Sequence, residues 1–498
     1  MSEENVRNRW LVVVGALVVQ LCLGALYAWG TFTTDLQNSE AEVAMSLNPK
    51  LLGVADIQKL DTAKAEYRQL KDKLKELQEG TDEDAIKAAK KDINSFLAGL
   101  DKTWIDGTFD RRKFDKHVFR FSASETSWIF SAGLATFAIV MILAGRLQDK
   151  YGPKIIAIVG GLTLGAGYIL AGLIGGTSFA RLLLFIGIIG GAGIGLGYVC
   201  PIAACVKWFP DMKGLITGLA VAGFGAGAFI FIGLAGSWCN LIQGMGLNTT
   251  FVIYGIIFAI SIVIGGSLLS NPPEGWRPKN WNPPEAGTGS AKLKARDLTQ
   301  GQIIATPQFW MIWLAFVFSS GCGLMVIKCL KNFGVREGGL SIVAAGSALG
   351  LLSLFNGLGR IVWGTISQKL TAKYSLILMA VLQGGMMFVL IKMGGTPVTL
   401  AIAGCWIGFN FGGNFALFPL LTLENFGSKN LGANYGAVFT AYGVGGILGP
   451  VIAGKVWDHM HTFQTAFIIA ASACILAAIV TVAIRPPKAE VGAVAEAT

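Results

Sequence analysis

Charged side chains are scarce in this sequence. Only 14% of the 498 residues are Asp, Glu, Lys or Arg, whereas 53% are hydrophobic; soluble domains carry roughly 25% charged residues. A soluble domain covers its apolar core with charged and polar side chains. This chain has too few charged residues to cover so large an apolar surface. The scarcity of charge therefore excludes an ordinary soluble domain and indicates an integral membrane protein.

Histidine is scarcer still, and cysteine is confined to apolar segments. The three histidines, His117, His459 and His461, show no spacing typical of metal ligands, which argues against a catalytic metal and against a membrane enzyme. The sequence predicts no structural disulfide, no metal site and no cofactor. This follows from the position of all eight cysteines in or beside apolar runs: Cys22, Cys200, Cys205, Cys239, Cys322, Cys329, Cys405 and Cys474.

The net charge of +10 does not indicate nucleic-acid binding. Lys and Arg lie mostly between apolar runs, where they flank a lipid bilayer. If the N-terminus is inside, the short inner loops hold many more of these residues than the short outer loops. By the positive-inside rule, we expect a multi-pass protein of the plasma (inner) membrane with both termini cytoplasmic.

Twelve apolar stretches of about 20 residues are each long enough to cross a hydrocarbon layer of about 30 Å. Six lie near residues 10–34, 124–147, 155–177, 181–205, 213–236 and 250–270. Six more lie near residues 307–330, 341–366, 374–394, 397–421, 433–455 and 464–484. The pattern predicts an all-α integral membrane protein with 12 transmembrane helices in two six-helix halves.

The two halves contain similar sequence segments. GRLQDKYGPK from Gly145 and GTISQKLTAK from Gly364 match at an offset of 219 residues, and KGLITGLAVAGFGAG matches NLGANYGAVFTAYGVGG at nearly the same offset. Two separate matches at one offset indicate a duplication. Parallel six-helix halves are a known transporter architecture.

Composition predicts the domain organisation. In chain order, we expect the N-terminus with helix 1 (1–35), an extracytoplasmic helical insert (36–120), helices 2–6 (121–270), a Pro- and Gly-rich cytoplasmic linker (271–305), helices 7–12 (306–485) and a cytoplasmic tail (486–498). Apolar residues at helical spacing predict two amphipathic helices in the insert, with a turn near Gly80. A solvated hairpin and a cap that binds a partner or substrate are both open, and protein partners of the insert are unknown.

The predicted loop between helices 2 and 3 carries a pattern that suggests a role in conformational change. In GRLQDKYGPK, Asp149 stands among Arg146 and Lys150, and Gly152 permits a tight turn. Charge-assisted bonds of this kind can break and re-form when two bundles rock. The pattern resembles the signature loop of the major facilitator superfamily, although Gln368 replaces the acid in the second half. A loop that only anchors the membrane boundary is the alternative.

Arg360 is the clearest charge inside a predicted span, about one turn before a loop at Gly364. A buried guanidinium is costly without compensation, so it usually faces a cavity or a partner. No acid in another helix is an obvious partner. An anionic substrate would supply the missing charge, and a carboxylate fits the planar fork of arginine. An arginine that snorkels to the headgroups is the alternative.

Three tyrosines, Tyr27, Tyr198 and Tyr442, lie within apolar spans rather than at the ends, where an aromatic belt would place them. A ring with one hydroxyl is a suitable lining for a small polar anion. Core packing is the alternative for each of them.

Several segments together resemble the oxalate/formate antiporter family of the major facilitator superfamily, among them NRWLVVVGALVVQLCLGALYAWGTF, TPQFWMIW, LFNGLGRIVWG, FNFGGNFALFP and ANYGAVFTAYG. The resemblance implies carboxylate binding by Arg360, within the family motif N-G-x-x-R, and cavity positions for Tyr27, Tyr198, Phe411 and Phe415. The oxalate exchanger also uses a lysine of helix 11.

In this sequence the place of that lysine is taken by Tyr442. One arginine with a tyrosine hydroxyl suits a single carboxylate, because an unmatched charge in low dielectric is expensive. The chain therefore resembles the monocarboxylate members of the family rather than the oxalate exchanger.

The sequence predicts a secondary active transporter that carries a small monocarboxylate of the lactate, pyruvate or formate class by alternating access. Proton symport and anion exchange are both open. Glu125, near the outer end of helix 2, and Glu424, near the inner end of helix 10, are candidates for proton coupling or simple boundary charges. The alternatives are an oxalate/formate-type antiporter, an efflux carrier for another organic substrate, and a carboxylate sensor.

Overall fold

A computed structural model describes residues 8–78, 83–235, 238–273, 275–278, 297–340 and 342–485. Over these residues the chain is α-helical, with one isolated β-bridge between Val54 and Phe109. The predicted turn near Gly80, most of the linker and the tail from residue 486 onward lie outside the described residues.

Six helices of the N-terminal half are long and apolar enough to cross a membrane. The first, α1, begins at Trp10, passes through a 3₁₀ segment at Gly24–Ala28 and continues as Trp29–Gln37; its apolar span ends at Thr33. The others are α2 (Ala123–Tyr151), α3 (Pro153–Gly175), α4 (Phe179–Trp208), α5 (Lys213–Ala235) and α6 (Leu247–Leu268).

The C-terminal half contains α7 (Pro307–Arg336), α8 and α9 within Ile342–Leu390, α10 (Pro397–Phe426), α11 (Leu431–Met460) and α12 (Gln464–Ala483). The stretch Ile342–Leu390 leaves helical geometry at Thr371, where φ is 65° and ψ is 161°. Its 49 residues would extend over about 70 Å as one helix, more than twice the thickness of a bilayer. The 11 apolar helices of the described chain therefore correspond to 12 spans, because one of them contains two.

Thr371 and Gly152 occupy equivalent turns in the two halves. Gly152 joins α2 to α3 with φ of 87°, and Thr371 joins α8 to α9 with φ of 65°, 219 residues later. This extended backbone with positive φ is open to glycine but strained for a β-branched residue. The same unusual backbone at the same offset supports the duplication that the sequence indicated.

The two halves meet where α2 packs on α11 and α5 packs on α8. A Cβ added to Gly145 would overlap the carbonyl group of Gly432, and one added to Gly214 would overlap the carbonyl oxygen of Gly364. Small residues let helix backbones approach closely in membranes. All four glycines lie toward the end of the bundle that carries the turns at 152 and 371. We call it the basic end, and we call the opposite end, which carries the insert, the insert end.

The two predicted amphipathic segments of the insert form helices at Ile57–Gln78 and Glu83–Gly99. Four short helices accompany them, at Glu40–Ser46, Pro49–Leu52, Lys102–Asp106 and Arg111–Phe114. The insert has its own cluster of buried side chains, which includes Leu52, Leu60 and Phe114. It is therefore a packed layer rather than a bare hairpin.

The insert rests on the N-terminal half. The backbone N–H of Asn48 donates to the carbonyl oxygen of Gln243 at 2.9 Å, and the side chain of Asn248 donates to the carbonyl oxygen of Lys116 at 3.2 Å. These bonds anchor the insert to the segment that leads into α6.

We predict that Thr371→Gly stabilises the protein and that Gly152→Ala destabilises it. The first change relieves backbone strain on the order of 1 kcal/mol, partly offset by the entropy of glycine in the unfolded chain, and the second imposes such strain. Melting temperatures of the detergent-solubilised variants measure both effects. A lower melting temperature for Thr371→Gly would contradict the strained turn.

Candidate functional site

Arg360 lies deep inside α8. This helix continues to Leu370, so the arginine is about ten residues, or about 15 Å, from the end of the helix. The expectation of a loop one turn away at Gly364 is wrong, because Gly364 remains helical where its backbone packs on Gly214 of α5. The side chain is fully buried, and at this depth it does not snorkel to the basic end.

The guanidinium of Arg360 has only neutral partners among its observed contacts. Its Nε donates to Oδ1 of Asn356 at 3.1 Å, and its Nη1 donates to the carbonyl oxygen of Val221 at 2.8 Å. Its central carbon lies 4.3 Å from the ring centroid of Phe415 and 5.6 Å from that of Phe224. These contacts hold the cation in place but leave its full positive charge unneutralised.

Three polar groups meet beside this charge: Nη2 of Arg360 and the hydroxyls of Tyr198 and Tyr435. The hydroxyl of Tyr198 faces Arg360 and the hydroxyl of Tyr435. Within the described chain, Nη2 of Arg360 and both tyrosine hydroxyls are buried and complete no well-aligned hydrogen bond. Buried polar groups are nearly always well paired, and the donors of this cluster could bind a further acceptor such as a small anion.

Tyr435 was not among the residues predicted from the sequence. It is fully buried in α11, one position after Asn434 in the segment ANYGAVFTAYG. It precedes Tyr442 by seven residues, which places both side chains on one face of the helix. This seven-residue spacing is the sequence signal that could have identified Tyr435 as a site residue.

The remaining predicted residues join the same cluster. Tyr27 of α1 and Tyr442 of α11 share a short hydrogen bond between their hydroxyls, which links the two halves. The ring of Phe415 packs edge-on against Tyr442, at 5.3 Å between centroids, and against Phe411, at 5.5 Å. The structure thus brings together all six predicted substrate-binding residues: Arg360, Tyr442, Tyr198, Tyr27, Phe411 and Phe415.

Asp149 lies at the basic end, between the two halves. Its Oδ2 accepts a hydrogen bond of 2.9 Å from the backbone N–H of Ala433, in the first turn of α11. A carboxylate is favoured at a helix N-terminus, where N–H groups point outward and the dipole is positive.

The two neighbouring cations of the loop make other contacts. Arg146 donates to Gln300 of the linker, and the ammonium of Lys150 lies 5.0 Å from the ring centroid of Tyr151. The observed partner of Asp149 is therefore a helix terminus of the other half, whereas the sequence suggested the cations of its own loop.

Both candidate proton-coupling residues are fixed at the starts of helices. Glu125 accepts hydrogen bonds from the backbone and the hydroxyl of Ser122, at 2.8 and 2.9 Å, in the capping box of α2. Glu424 accepts from the backbone N–H of Ala372 at 3.0 Å, at the start of α9. Each carboxylate thus has a capping role in the structure.

A different carboxylate has an unusual environment. Asp35 follows the span of α1 and lines a small cavity together with His117 of the insert. Burial raises the pKa of Asp35 to about 6, and burial with the nearby charge of Lys116 lowers the pKa of His117. Asp35 is therefore a group that can take up a proton near neutral pH at the insert end.

Comparison with known proteins identifies the architecture. The sequence profile described as Major Facilitator Superfamily matches residues 93–450 and 339–497. The chain belongs to this superfamily. The major facilitator fold predicted from the sequence is confirmed, and the protein is a multi-pass membrane transporter rather than an enzyme.

The relatives of this transporter include carriers of small carboxylates. It is 32% identical to the uncharacterized MFS-type transporter YhjX of Escherichia coli (strain K12), over 64% of this chain and 76% of that protein. It is 26% identical to the oxalate:formate antiporter of Oxalobacter formigenes, over 66% and 74%, and 24% identical to apicoplast pyruvate carrier 1 of Toxoplasma gondii, over 87% and 81%. The resemblance noted from the sequence is thereby confirmed.

Solved structures show the same fold. The crystal structure of the transporter FucP in the outward conformation covers 96% of this chain and 100% of its own, with a TM-score of 0.58 and 16% identity. At this identity the likeness extends to the fold alone.

We predict that Tyr435→Phe weakens binding of a small carboxylate such as pyruvate about tenfold and leaves the melting temperature of the empty transporter unchanged or higher. The hydroxyl that it removes faces that of Tyr198 without a well-aligned hydrogen bond, so its loss costs the empty protein little stability. Binding to the purified protein and thermal unfolding measure the two effects.

Tyr254→Phe is the matched control. The hydroxyl of Tyr254 donates to the carbonyl oxygen of Phe231, so this change should cost about 1 kcal/mol of stability and leave carboxylate affinity unchanged. The opposite result, destabilisation by Tyr435→Phe with unchanged affinity, would give Tyr435 a packing role instead.

Proposed function

We propose that this transporter carries a small monocarboxylate of the lactate, pyruvate or formate class across the membrane. One observation supports the proposal above all: Nη2 of the buried Arg360 and the hydroxyls of Tyr198 and Tyr435 meet with no well-aligned hydrogen bond within the described residues. A carboxylate supplies two acceptor oxygens and one negative charge. It would complete the hydrogen bonds and neutralise the arginine in a single step.

The charge of the site favours a monoanion over a dianion. Arg360 is the one cationic residue among the six substrate-binding candidates, and Tyr442 contributes a neutral hydroxyl. A second carboxylate would be buried without a counter-charge, which costs several kcal/mol. The rings of Phe411 and Phe415 suit the short apolar part of such an acid.

Alternating access would act through the contact that Arg360 makes between the halves. The arginine belongs to α8, whereas the carbonyl oxygen of Val221, which accepts from its Nη1, belongs to α5. A bound carboxylate competes with this carbonyl group for the guanidinium, and a charged acceptor is the stronger one. Substrate binding would thus loosen the α5–α8 contact and favour opening of the basic end.

We place anion exchange ahead of proton symport. The side chain that pairs with Nε of Arg360 is Asn356, an amide that cannot bind a proton. When the site is empty, Arg360 has no carboxylate partner among its described contacts, and its charge would be occluded uncompensated during reorientation, so the loaded carrier reorients more readily. Proton symport would use a more distant carboxylate, such as Asp35.

The orientation of the transporter follows from charge. The basic end would face the cytoplasm of a prokaryotic cell, with both termini inside and the insert outside the plasma (inner) membrane. Loops rich in Lys and Arg stay on the cytoplasmic side, whereas a long insert crosses regardless of its charge.

We predict that proteoliposomes with the wild-type protein take up labelled pyruvate, lactate or formate, and that Arg360→Ala lowers this uptake at least 100-fold. Removal of the cation leaves the buried carboxylate without a partner. Arg181→Ala is the control, because Arg181 is an exposed residue of α4 that donates to the carbonyl oxygen of Ile174. Faster uptake under an inward proton gradient would indicate symport, whereas faster uptake with substrate on the opposite side of the membrane would indicate exchange. Full uptake by Arg360→Ala would refute the proposed site.

We predict further that Tyr442→Lys extends transport to oxalate. The lysine would add a second positive charge next to Arg360, which compensates a second carboxylate. The control is Tyr442→Phe, which keeps the ring without a charge and should not carry oxalate. Competition between oxalate and pyruvate in the uptake assay measures the change. Oxalate transport by the wild type would contradict the proposed role of Tyr442.

A further inference from the structure

The side chain of Gln300 contacts both halves of the transporter at the basic end. Its Oε1 accepts a hydrogen bond from Nε of Arg146, at the end of α2. Its Nε2 donates to the carbonyl oxygen of Ala433, at the start of α11, at 3.0 Å. The residue is 95% buried, with a relative exposure of 5%. A single amide group therefore joins the N-terminal and C-terminal halves.

The segment that carries Gln300 is bound to the C-terminal half. The backbone N–H of Leu298 donates to the carbonyl oxygen of Phe426 at 3.0 Å, and the side chain of Asn434 donates to the carbonyl oxygen of Leu298 at 2.9 Å. One residue earlier, Oδ1 of Asp297 accepts from the backbone N–H of Lys429 at 2.9 Å. These bonds tie the end of the linker to α10 and α11, so it moves with them.

The short helix that follows fixes the direction of the side chain. It spans Gln300–Ile304 and begins with a capping box between Thr299 and Gln302. Ile303 is fully buried on the same segment. Gln300 is therefore held at the first position of a helix that is anchored on both sides.

Gln300 completes a ring of four residues that crosses the interface. Ala433 uses both of its backbone groups in this ring: its N–H donates to Asp149, and its carbonyl oxygen accepts from Gln300. Arg146 and Asp149 are three residues apart on α2 and so share a face of the helix. The bonds of Arg146 to Gln300 and of Asp149 to Ala433 are those that join different halves.

We propose that Gln300 is a positioning residue of the transport cycle that latches the basic end closed. Here the latch means Arg146, Asp149, Gln300 and Ala433. When the halves separate at this end, Gln300 stays with α11 and releases Arg146. The central linker thus takes part in the conformational equilibrium, beyond its covalent connection of the two halves. This inference does not depend on the identity of the substrate.

The test measures the distance between the halves in the full-length protein. Spin labels at Lys154→Cys and Lys369→Cys occupy exposed positions at the basic end of each half, in a background where the exposed Cys239 is replaced by serine. Pulsed electron resonance without substrate gives the ratio of long to short distances. We expect Gln300→Ala to raise this ratio about tenfold, since a hydrogen bond from a charged donor is lost.

Three further variants make the test specific. Ile304→Ala, at an exposed position of the same short helix and outside its capping box, should leave the distances unchanged. Gln300→Ala should add little in an Arg146→Ala background, because both changes break the same bond. Gln300→Glu keeps the acceptor for Arg146 and gives it a negative charge, which strengthens the bond between the halves, so this variant should not raise the ratio.

Unchanged distances in Gln300→Ala would overturn the proposal, as would equal shifts in Gln300→Ala and Ile304→Ala. Full additivity of the changes at Arg146 and Gln300 would also overturn it, since it would show that the two side chains act separately. If Gln300→Ala does not fold, Gln300→Met, which keeps most of the side-chain volume but has no amide acceptor for Arg146, carries the same comparison. The readout needs no substrate, so it stands apart from a failure of monocarboxylate uptake.

Discussion

A buried guanidinium without a counter-charge among the described residues is the constraint on which this structure depends. Arg360 is held by one amide oxygen, one carbonyl oxygen and the faces of two phenylalanine rings. These groups satisfy part of its hydrogen-bonding capacity but none of its charge. The cluster of aromatic rings and hydroxyls around it is therefore an environment in which an anion is favoured. Because the carbonyl oxygen comes from α5, the same charge also helps to hold the two halves together.

The contacts between the halves are of a kind that can be broken and re-formed. Glycines let the backbones of α2 and α11, and of α5 and α8, approach without interlocking large side chains. Polar contacts between the halves at the basic end include that of Asp149 with the start of α11 and that of Arg146 with Gln300. Each such contact is worth on the order of 1 kcal/mol, so rocking breaks several weak bonds rather than one strong one.

The insert adds a packed layer without tying the halves to each other in the contacts described. Its hydrogen bonds to Gln243 and Asn248 belong to the N-terminal half, so it can move with that half as one body. Asp35 and His117 lie at this junction, and they bring a carboxyl group and an imidazole to the insert end.

The sequence by itself determined the membrane location, the number of spans, the duplication and the presence of an isolated charge at Arg360, because hydropathy and offset are local properties of the chain. It also placed Tyr27, Tyr198 and Tyr442 within spans. Only the tertiary structure decided the depth of Arg360, since the continuation of α8 past Gly364 depends on a close backbone contact with α5. Tyr435 and Gln300 likewise acquire their roles through partners more than 100 residues away, and no local pattern records which distant backbones approach.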